Sequence, residues 1–449
     1  MTFSIIQKSQ LEGADRIDAE YYQPEYLLIS ELLRRQKTQI LKNLSNFIKK
    51  GIFDLSPDNY RSSGIPFIRT TSIKDPLLDL EEIVFLEAGT HQKNHSTSLQ
   101  SGDLVFTKIG ANIGDLSLLP SDFYEYNFSQ NVAGVSVNKK AINFHYLFTY
   151  LLSKYGRKQI ERRQMISGQG KLELEDLRNL QIVIPSLVFE REIESLIVES
   201  QRTKQLSIEL YQNAEHLLLE KLGLKDFQTP QDLSYIVNYS DTKKVERVDA
   251  DYFQPKYEFL VNKLGKKKEL FKFAERINTS FKIEPDKEYN YIEIGDVNVG
   301  TGEVVFNKVV GKELPANAKI KICGGELIIS KVRPTRGAIA IIPDEFNKDF
   351  VVSGAFSVFN LASPAKEFLQ VVLRSLIGKL QMERPTTGTS YPTITDQDME
   401  NLWIPSVKVE TQQKIADLVR KSHGARKKSK ELLEEAKRKV EEMIEKGGD

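Results

Sequence analysis

Apolar positions along the 449-residue chain fall into the same succession of patterns twice. Around Leu28–Leu33 and Phe259–Leu264 the spacing predicts a short helix in each half. Runs that open at glycine and continue apolar with Val and Ile, Gly102–Lys108 and Gly325–Val332, read as strands, as do Ala338–Ile342 and Val351–Phe359. Helical spacing returns at Tyr146, Leu147, Tyr150 and Leu151, and again at Phe368, Leu369, Val372 and Leu373. Each half then reaches an Ile-Pro-Ser, at 184–186 and 404–406. Proline disfavours helix at the residue before it, and a long helical segment follows each one.

The first long segment runs from about Val188 to Leu222, with an apolar stripe of Ile193, Leu196, Ile197, Leu206, Leu210, Ala214, Leu217 and Leu218 and a polar gap near Ser200 and Thr203. The second runs from about Thr411 to Glu445 through Ile415, Leu418, Val419, Ser422, Ala425, Ser429, Leu432, Leu433, Ala436, Val440, Met443 and Ile444. Heptad-like stripes of this kind pair helices. The predicted pair interface places Ile193, Leu196, Ile197, Leu210 and Leu217 against Ile415, Leu418, Val419, Leu432 and Val440. Gly223 and Gly447 stand where helices stop. At 1.5 Å per residue each helix would span roughly 50 Å. Antiparallel pairing would make a stiff rod with a domain at each end; the alternative is that each helix packs on its own domain.

The repetition is also literal. Arg16-Ile-Asp-Ala-Glu-Tyr-Tyr-Gln-Pro-Glu-Tyr26 returns as Arg247-Val-Asp-Ala-Asp-Tyr-Phe-Gln-Pro-Lys-Tyr257, with seven of eleven positions identical. Gly102-Asp-Leu-Val-Phe-Thr-Lys108 matches Gly325-Glu-Leu-Ile-Ile-Ser-Lys331. Ser153, Gly156 and Arg162 match Ser375, Gly378 and Arg384, and Asp176-Leu-Arg-Asn-Leu180 matches Asp398-Met-Glu-Asn-Leu402. A period this long marks a duplicated domain rather than a solenoid. The predicted fold is α+β: two homologous mixed α/β domains at 1–186 and 224–406, a central long helix at 187–223 and a C-terminal long helix at 407–449. The copies differ most between their shared landmarks, which suggests one scaffold carrying two surfaces.

Composition narrows the classes. Hydrophobic residues make up 40% and charged residues 28%, as in a globular chain with a real core. A net charge of +1 argues against coating nucleic acid by bulk charge and directs attention to local clusters. One cysteine, Cys323, allows no internal disulfide and suits a reducing cytoplasm; it reads as a small buried apolar side chain. No stretch reaches the length of a signal peptide core or a membrane span.

Catalytic chemistry is not legible. There is no G-x-x-x-x-G-K-[ST], no G-x-G-x-x-G and no Asn-Pro-Pro-aromatic tetrapeptide of the kind adenine methyltransferases use. His91 and His95 stand four apart in a loop-like stretch with no Glu between them, so no metal site is expected. What does recur is polar and basic loop chemistry at equivalent places. Lys108 to Asn112 follows a strand and corresponds to the more cationic Lys331-Val-Arg-Pro-Thr-Arg336; Arg162 to Lys171 corresponds to Arg384 to Tyr391. Arg pairs with guanine, Asn or Gln with adenine, and Lys, Ser and Thr with phosphate. The candidate DNA-contacting residues are Arg69, Thr71, Lys108, Asn112, Gln130, Asn131, Arg162, Arg163, Gln169 and Lys171 in the first half. In the second they are Lys331, Arg333, Thr335, Arg336, Arg384, Thr386, Thr387 and Tyr391.

The arrangement resembles the specificity subunit of type I restriction–modification systems, over nearly the whole chain. The resemblance rests on Gly64-Ile-Pro-Phe-Ile-Arg69, on Ser101 to Lys108 with Gly110 and Gly114, on Tyr146-Leu with Ser153, and on Leu180 to Pro185 leading into a long helix, all in duplicated order. It implies two target-recognition domains that each read half of a bipartite, asymmetric sequence in double-stranded DNA, and two antiparallel helices that measure the spacer. It also implies docking of two modification subunits that bind S-adenosylmethionine and methylate adenine, joined in some systems by restriction subunits using ATP and Mg²⁺. No cofactor, metal or catalytic residue is expected in this chain. A duplicated nucleic-acid-binding or scaffold adaptor outside restriction–modification is the rival reading, and a stand-alone methyltransferase or nuclease a second.

Overall fold

The repeated glycines mark where the backbone must turn tightly. In the computed structural model Gly102 and Gly325 sit at φ +82° and +86°, a left-handed conformation costly for any residue with a Cβ. The acid that follows each glycine caps the same turn. Asp103 accepts from the amides of Gln100 (2.9 Å) and Val137 (2.8 Å), and Glu326 accepts from the amide of Cys323 (2.8 Å). Burial pushes the Asp103 carboxyl above its ordinary range, against the pull of those amides. The Gly-acid-Leu motif is thus the entry to a buried strand. Cys323, on that turn, is exposed rather than buried: the strand edge faces solvent there.

The structure describes residues 4–11, 17–78, 80, 83–110, 112–164, 170–229, 234–277, 281–361, 366–388 and 390–447. The chain divides into two compact units, residues 1–203 with 427–449, and residues 204–426. The division runs through both long helices, so each unit owns half of each.

In the first unit a four-stranded antiparallel sheet has the order Ser45–Lys50, Val132–Val137, Leu104–Thr107, Leu116–Leu118. A second sheet has the order Tyr60–Arg61, Val84–Leu86, Ile65–Ile68, Glu125–Phe128, Leu99–Gln100, with Ile65–Ile68 and Glu125–Phe128 parallel. Thr38–Ile40 pairs with Gln181–Val183 just before the long helix. Helices Pro24–Arg34, Phe144–Leu152 and Lys154–Arg163 complete this unit's main core, which includes Leu33, Phe106, Tyr146, Tyr150 and Ile182.

The second unit repeats the plan. Its antiparallel sheet runs Ala274–Ile277, Phe356–Leu361, Leu327–Ser330, Ile339–Ile341, and its mixed sheet Asn307–Val310, Glu288–Ile292, Phe350–Ser353, Ala318–Ile322. Glu288–Ile292 and Phe350–Ser353 are again the parallel pair, and Lys267–Glu269 pairs with Trp403–Pro405. The apolar run Val351–Phe359 reads as one strand but is two, in different sheets. The chain turns at Gly354–Ala355, where the Ser353 hydroxyl accepts from the Ala355 amide (3.2 Å). Gly156 and Gly378 allow a tight helix–helix corner: a Cβ there would lie 2.4 Å from Leu151 Cα and 1.9 Å from the Leu373 carbonyl oxygen.

The long helices are Leu187–Lys221 and Val409–Lys446, and Gly223 and Gly447 end them at φ +65° and +91°. The predicted stripe needs a correction. The buried seam of the first helix is Ile193, Ile197, Ser200, Lys204, Ser207, Tyr211, Ala214 and Leu218, while Leu206 is exposed and Leu196, Leu210 and Leu217 are only half-buried. On the second helix the seam is Ile415, Val419, Ser422, Arg426, Ser429, Leu433, Ala436, Val440 and Met443, with Leu432 also buried and Leu418 half-buried. Both seams alternate steps of three and four without a break. The polar gap at Ser200 belongs to the seam because a small side chain admits close approach.

Pairing is antiparallel. In the first unit Ser200 Oγ donates to the Ser429 carbonyl and Ser429 Oγ to the Ser200 carbonyl, both at 2.7 Å, and Lys439 meets Glu192 at 2.6 Å. In the second unit Ser422 Oγ donates to the Ser207 carbonyl at 2.7 Å. Ser429→Leu forces an isobutyl group into this contact. It should destabilise the chain by about 1–3 kcal/mol, measured by chemical denaturation; an unchanged midpoint would show that the seam is loosely packed.

The second unit also half-buries His423 of the second long helix. Desolvation holds its imidazole below the ordinary value of 6.5, opposed by Glu303 and reinforced by Arg374 and Arg426. The folded state keeps the ring neutral while the unfolded chain protonates it. The resulting stability is full above pH 6.5 and is lost as pH falls through that value towards the lower folded one. His423→Gln should therefore lose less stability than wild type between pH 7.5 and 5, in unfolding curves taken at each pH.

Candidate nucleic-acid interface

Strand ends set the geometry. In the first unit Leu104–Thr107 ends at Lys108, whose amide donates to the Asn131 carbonyl (2.9 Å) and whose carbonyl accepts from Leu172 N–H (3.0 Å). Ile109 bridges Lys171 in antiparallel fashion. The Ser129 amide donates to the Ile68 carbonyl (2.9 Å), which ties the turn holding Gln130 and Asn131 to the end of Ile65–Ile68. Arg69 follows, and its amide donates to Ser72 Oγ (3.3 Å), closing the short helical turn Thr70–Ser72. Gly110 comes close to both Thr70 and Thr107: a Cβ there would lie within 3.9 Å of each. Arg69, Thr71, Lys108, Gln130, Asn131 and Lys171 thus stand on adjoining strand ends and turns, and Asn112 is exposed on the loop that continues from Lys108.

The second unit builds the same frame. Lys331 N–H donates to the Ala355 carbonyl (2.7 Å), the Lys331 carbonyl accepts from Ile394 N–H (3.0 Å), and Val332 bridges Thr393. Glu293 occupies the place of Arg69, its amide donating to Asp296 Oδ2 (2.8 Å). The loop after Lys331 differs most. Arg333 is held at φ +49°, its amide donates to the Pro392 carbonyl (2.7 Å), and its guanidinium lies 4.7 Å from the Tyr391 ring centroid. Thr335 and the exposed Arg336 follow in a 3-10 turn. Thr387 exchanges both backbone hydrogen bonds with Thr393, and Tyr391 is 68% exposed.

Electrostatics distinguish the lysines. Lys171 pairs with Glu173 at 2.5 Å and holds that carboxyl below its ordinary value. Lys331 lies 3.5 Å from Asp396, which also meets Arg276 at 3.5 Å. Among the described residues, Arg69 Nε and Thr107 Oγ1 are buried without a hydrogen-bond partner. Unpaired buried polar atoms are costly, and these two stand at adjoining strand ends beside the Gly110 loop.

Several candidates are placed elsewhere. Arg162 is 5% exposed: Nε donates to the Tyr21 carbonyl (2.8 Å), an Nη to Ser30 Oγ (2.8 Å), and the guanidinium stacks 4.0 Å from the Tyr21 centroid. Arg384 does the same work in the second unit, 4.8 Å from the Tyr252 ring and 3.6 Å from Glu258. The repeated Asp-Ala-acid-Tyr-aromatic motif is the aromatic half of this clamp, joined to arginines far along the chain. Arg163 donates to the Gln159 carbonyl (3.1 Å), and Thr386 closes its helix end on the Glu383 carbonyl (2.6 Å). These four positions serve the fold. Gln169 lies outside the described residues.

Sequence reasoning also missed Arg374. It is 6% exposed and donates to Tyr211 Oη (2.7 Å) on the first long helix and to the carbonyls of Val299 (2.6 Å), Gly337 (3.1 Å) and Ile339 (3.2 Å). The loop carrying Thr335 and Arg336 is therefore pinned at its base to a long helix. Arg426, on the other long helix, pairs with Glu303 at 2.6 Å beside the same segment.

Fold and strand-end geometry define a class: a duplicated α+β protein whose two modules present differently dressed loops on one frame. Residues 36–206 and 263–435 match the family described as type I restriction modification DNA specificity domain. The chain belongs to that family and carries its domain twice. The specificity subunit of the type I restriction enzyme HindI from Haemophilus influenzae is 29% identical over 133 residues. That match covers 27% of this chain and spans 29% of the relative's length. Among solved structures, the S subunit of a type I system from M. genitalium is similar at 12% identity, 92% coverage of this chain, 96% of that one and a TM-score of 0.40. The HsdS subunit of Thermoanaerobacter tengcongensis is similar at 15% identity, with 92% and 96% coverage and a TM-score of 0.29. Among the described residues no helix is long and apolar enough to cross a membrane.

Arg162→Ala removes a buried cation held by the Tyr21 carbonyl, the Ser30 hydroxyl and the Tyr21 ring and should cost about 2–4 kcal/mol, whereas Arg336→Ala should leave the denaturation midpoint unchanged. Equal effects of the two substitutions on the midpoint would contradict this division of roles.

Proposed function

We propose that this protein is the non-catalytic, DNA-reading subunit of a type I modification complex. Each module reads one half of a bipartite, asymmetric target in double-stranded DNA, and the two long helices set the spacer between the halves. The observation that carries the reading is the shared frame with exchanged side chains. Lys108 and Lys331 make the same pair of backbone bonds, while Asn131 gives way to Ala355 and Arg69 to Glu293. One scaffold that holds loops identically and dresses them differently suits two distinct half-sites read by hydrogen bonds to base edges.

Contacts to DNA are assigned to Arg69, Thr71, Lys108, Asn112, Gln130, Asn131 and Lys171 in the first module. In the second they are assigned to Lys331, Arg333, Thr335, Arg336, Thr387 and Tyr391. Each mismatched base pair typically costs about 1–3 kcal/mol, so two short half-sites together give useful selectivity. Once one module is bound, linkage raises the effective concentration of the other at its half-site. Methyl transfer belongs to two modification subunits that carry S-adenosylmethionine, and cleavage, where it occurs, to restriction subunits using ATP and Mg²⁺. The complex works in the cytoplasm, where the genome is.

The test is a module exchange. When residues 1–186 are replaced by those of another family member and the chain is expressed with its methyltransferase, one half of the methylated motif should change. The other half and the gap should stay. A change in both halves would refute modular reading, and failure of the intact chain to direct any methylation would favour a scaffold outside restriction–modification.

A further inference from the structure

The first module carries a second cluster of chemistry, away from the loops assigned to DNA. Helix Ala88–Lys93 presents His91, 5% exposed, and the short turn after it presents His95. Both face Glu125, the first residue of strand Glu125–Phe128. His91 Nε2 lies 3.0 Å from Glu125 Oε2 and His95 Nδ1 lies 4.0 Å from Glu125 Oε1. One nitrogen from each ring and one carboxylate oxygen all lie within 4.8 Å of one another. The ligand atoms around a tetrahedral Zn²⁺ are about 3.3–3.5 Å apart, from metal–ligand bonds near 2.0–2.2 Å. The cluster is therefore within about 1.5 Å of a coordination shell. Its most distant member is also its most movable, since the His95 side chain is 66% exposed.

We propose that His91, His95 and Glu125 form a zinc-class metal site, with solvent as fourth ligand, that staples helix Ala88–Lys93 and its following turn to the start of that strand. His91 would bind through Nε2 and take its Nδ1–H tautomer, exchanging its 3.0 Å hydrogen bond with Glu125 for shared coordination and giving up the long 3.4 Å contact with the Asn127 amide. The role is structural. Strand Glu125–Phe128 ends beside the turn holding Gln130 and Asn131, so fixing its start fixes the base of that turn. The second module supports the need for such a tie at this place. Its equivalent strand is preceded by Asp349, which pairs with Lys287 at 2.6 Å and is held below the ordinary carboxylate range by it. One copy ties the start of the strand with an ion pair; the other brings two imidazoles to a carboxylate. The inference does not depend on DNA reading and is tested without DNA.

The experiment is a Zn²⁺ titration of the full chain against a chromophoric chelator in a Cys323→Ser background, with thermal unfolding followed with and without the ion. One equivalent should bind and raise the unfolding midpoint. Loss of even an outer-shell partner weakens metal binding about 10–100-fold, so loss of a ligand should cost at least that. His95→Ala alters an exposed side chain and Glu125→Gln keeps a hydrogen-bonding group beside His91; both should abolish stoichiometric uptake and the midpoint shift while leaving the metal-free midpoint in place. Absence of stoichiometric uptake in the parent chain overturns the proposal and leaves a hydrogen-bonded His–Glu pair. Uptake undiminished by both substitutions also overturns it, by placing the ion elsewhere.

Discussion

Close approach of two helix backbones is the constraint on which the rest of this structure depends. Within the first unit Ser200 and Ser429 each donate to the other's carbonyl, and within the second Ser422 donates to that of Ser207. Only small side chains permit hydroxyl-to-backbone bonds across a seam, and leucine at any of these places would hold the helices apart. The duplication maps Ser200 onto Ser422 and Ser207 onto Ser429, so one ancestral seam is used from both sides. Each unit needs segments remote in sequence to complete its core: Leu433, Ala436 and Val440 join residues before 203 in one, while Tyr211, Ala214 and Leu218 join Ile415 and Val419 in the other. Neither copy of the domain is finished by its own half of the chain.

From that base the structure reaches its loops through buried cations. Arg374 binds the Tyr211 hydroxyl and four carbonyls beneath the second module's loops, and Arg426 reaches Glu303. Arg162 and Arg384 lie on aromatic rings that belong to each copy's opening motif. Such groups are costly to bury and are retained where carbonyls, carboxylates and aromatic rings offset the cost. Their effect here is to fix loop bases while leaving loop tips, such as Asn112 and Arg336, to solvent.

Much of this was legible in the sequence, and the failures have physical causes. Duplication, the α+β class, both long helices and their glycine stops follow from pattern alone. The apolar pattern skips Ser200 because smallness, not apolarity, is what the contact there requires. Val351–Phe359 is continuous in hydropathy but broken by a turn at Gly354–Ala355, which a buried strand pair hides. Arg162 and Arg384 read as surface cations because their partners, Tyr21 and Tyr252, lie more than a hundred residues away. The same distance effect concealed Glu125 from His91 and His95. Local spacing reports which face a residue shares with its neighbours, and is silent on what another strand brings to it.

The most direct measurement for the central claim is a genome-wide map of methylated adenine in cells expressing this chain with its methyltransferase. Two modules of one frame, differently dressed, predict a single motif made of two unlike specified blocks around a gap of constant length. A continuous motif, a gap of variable length, or methylation that ignores the presence of this chain would contradict the account.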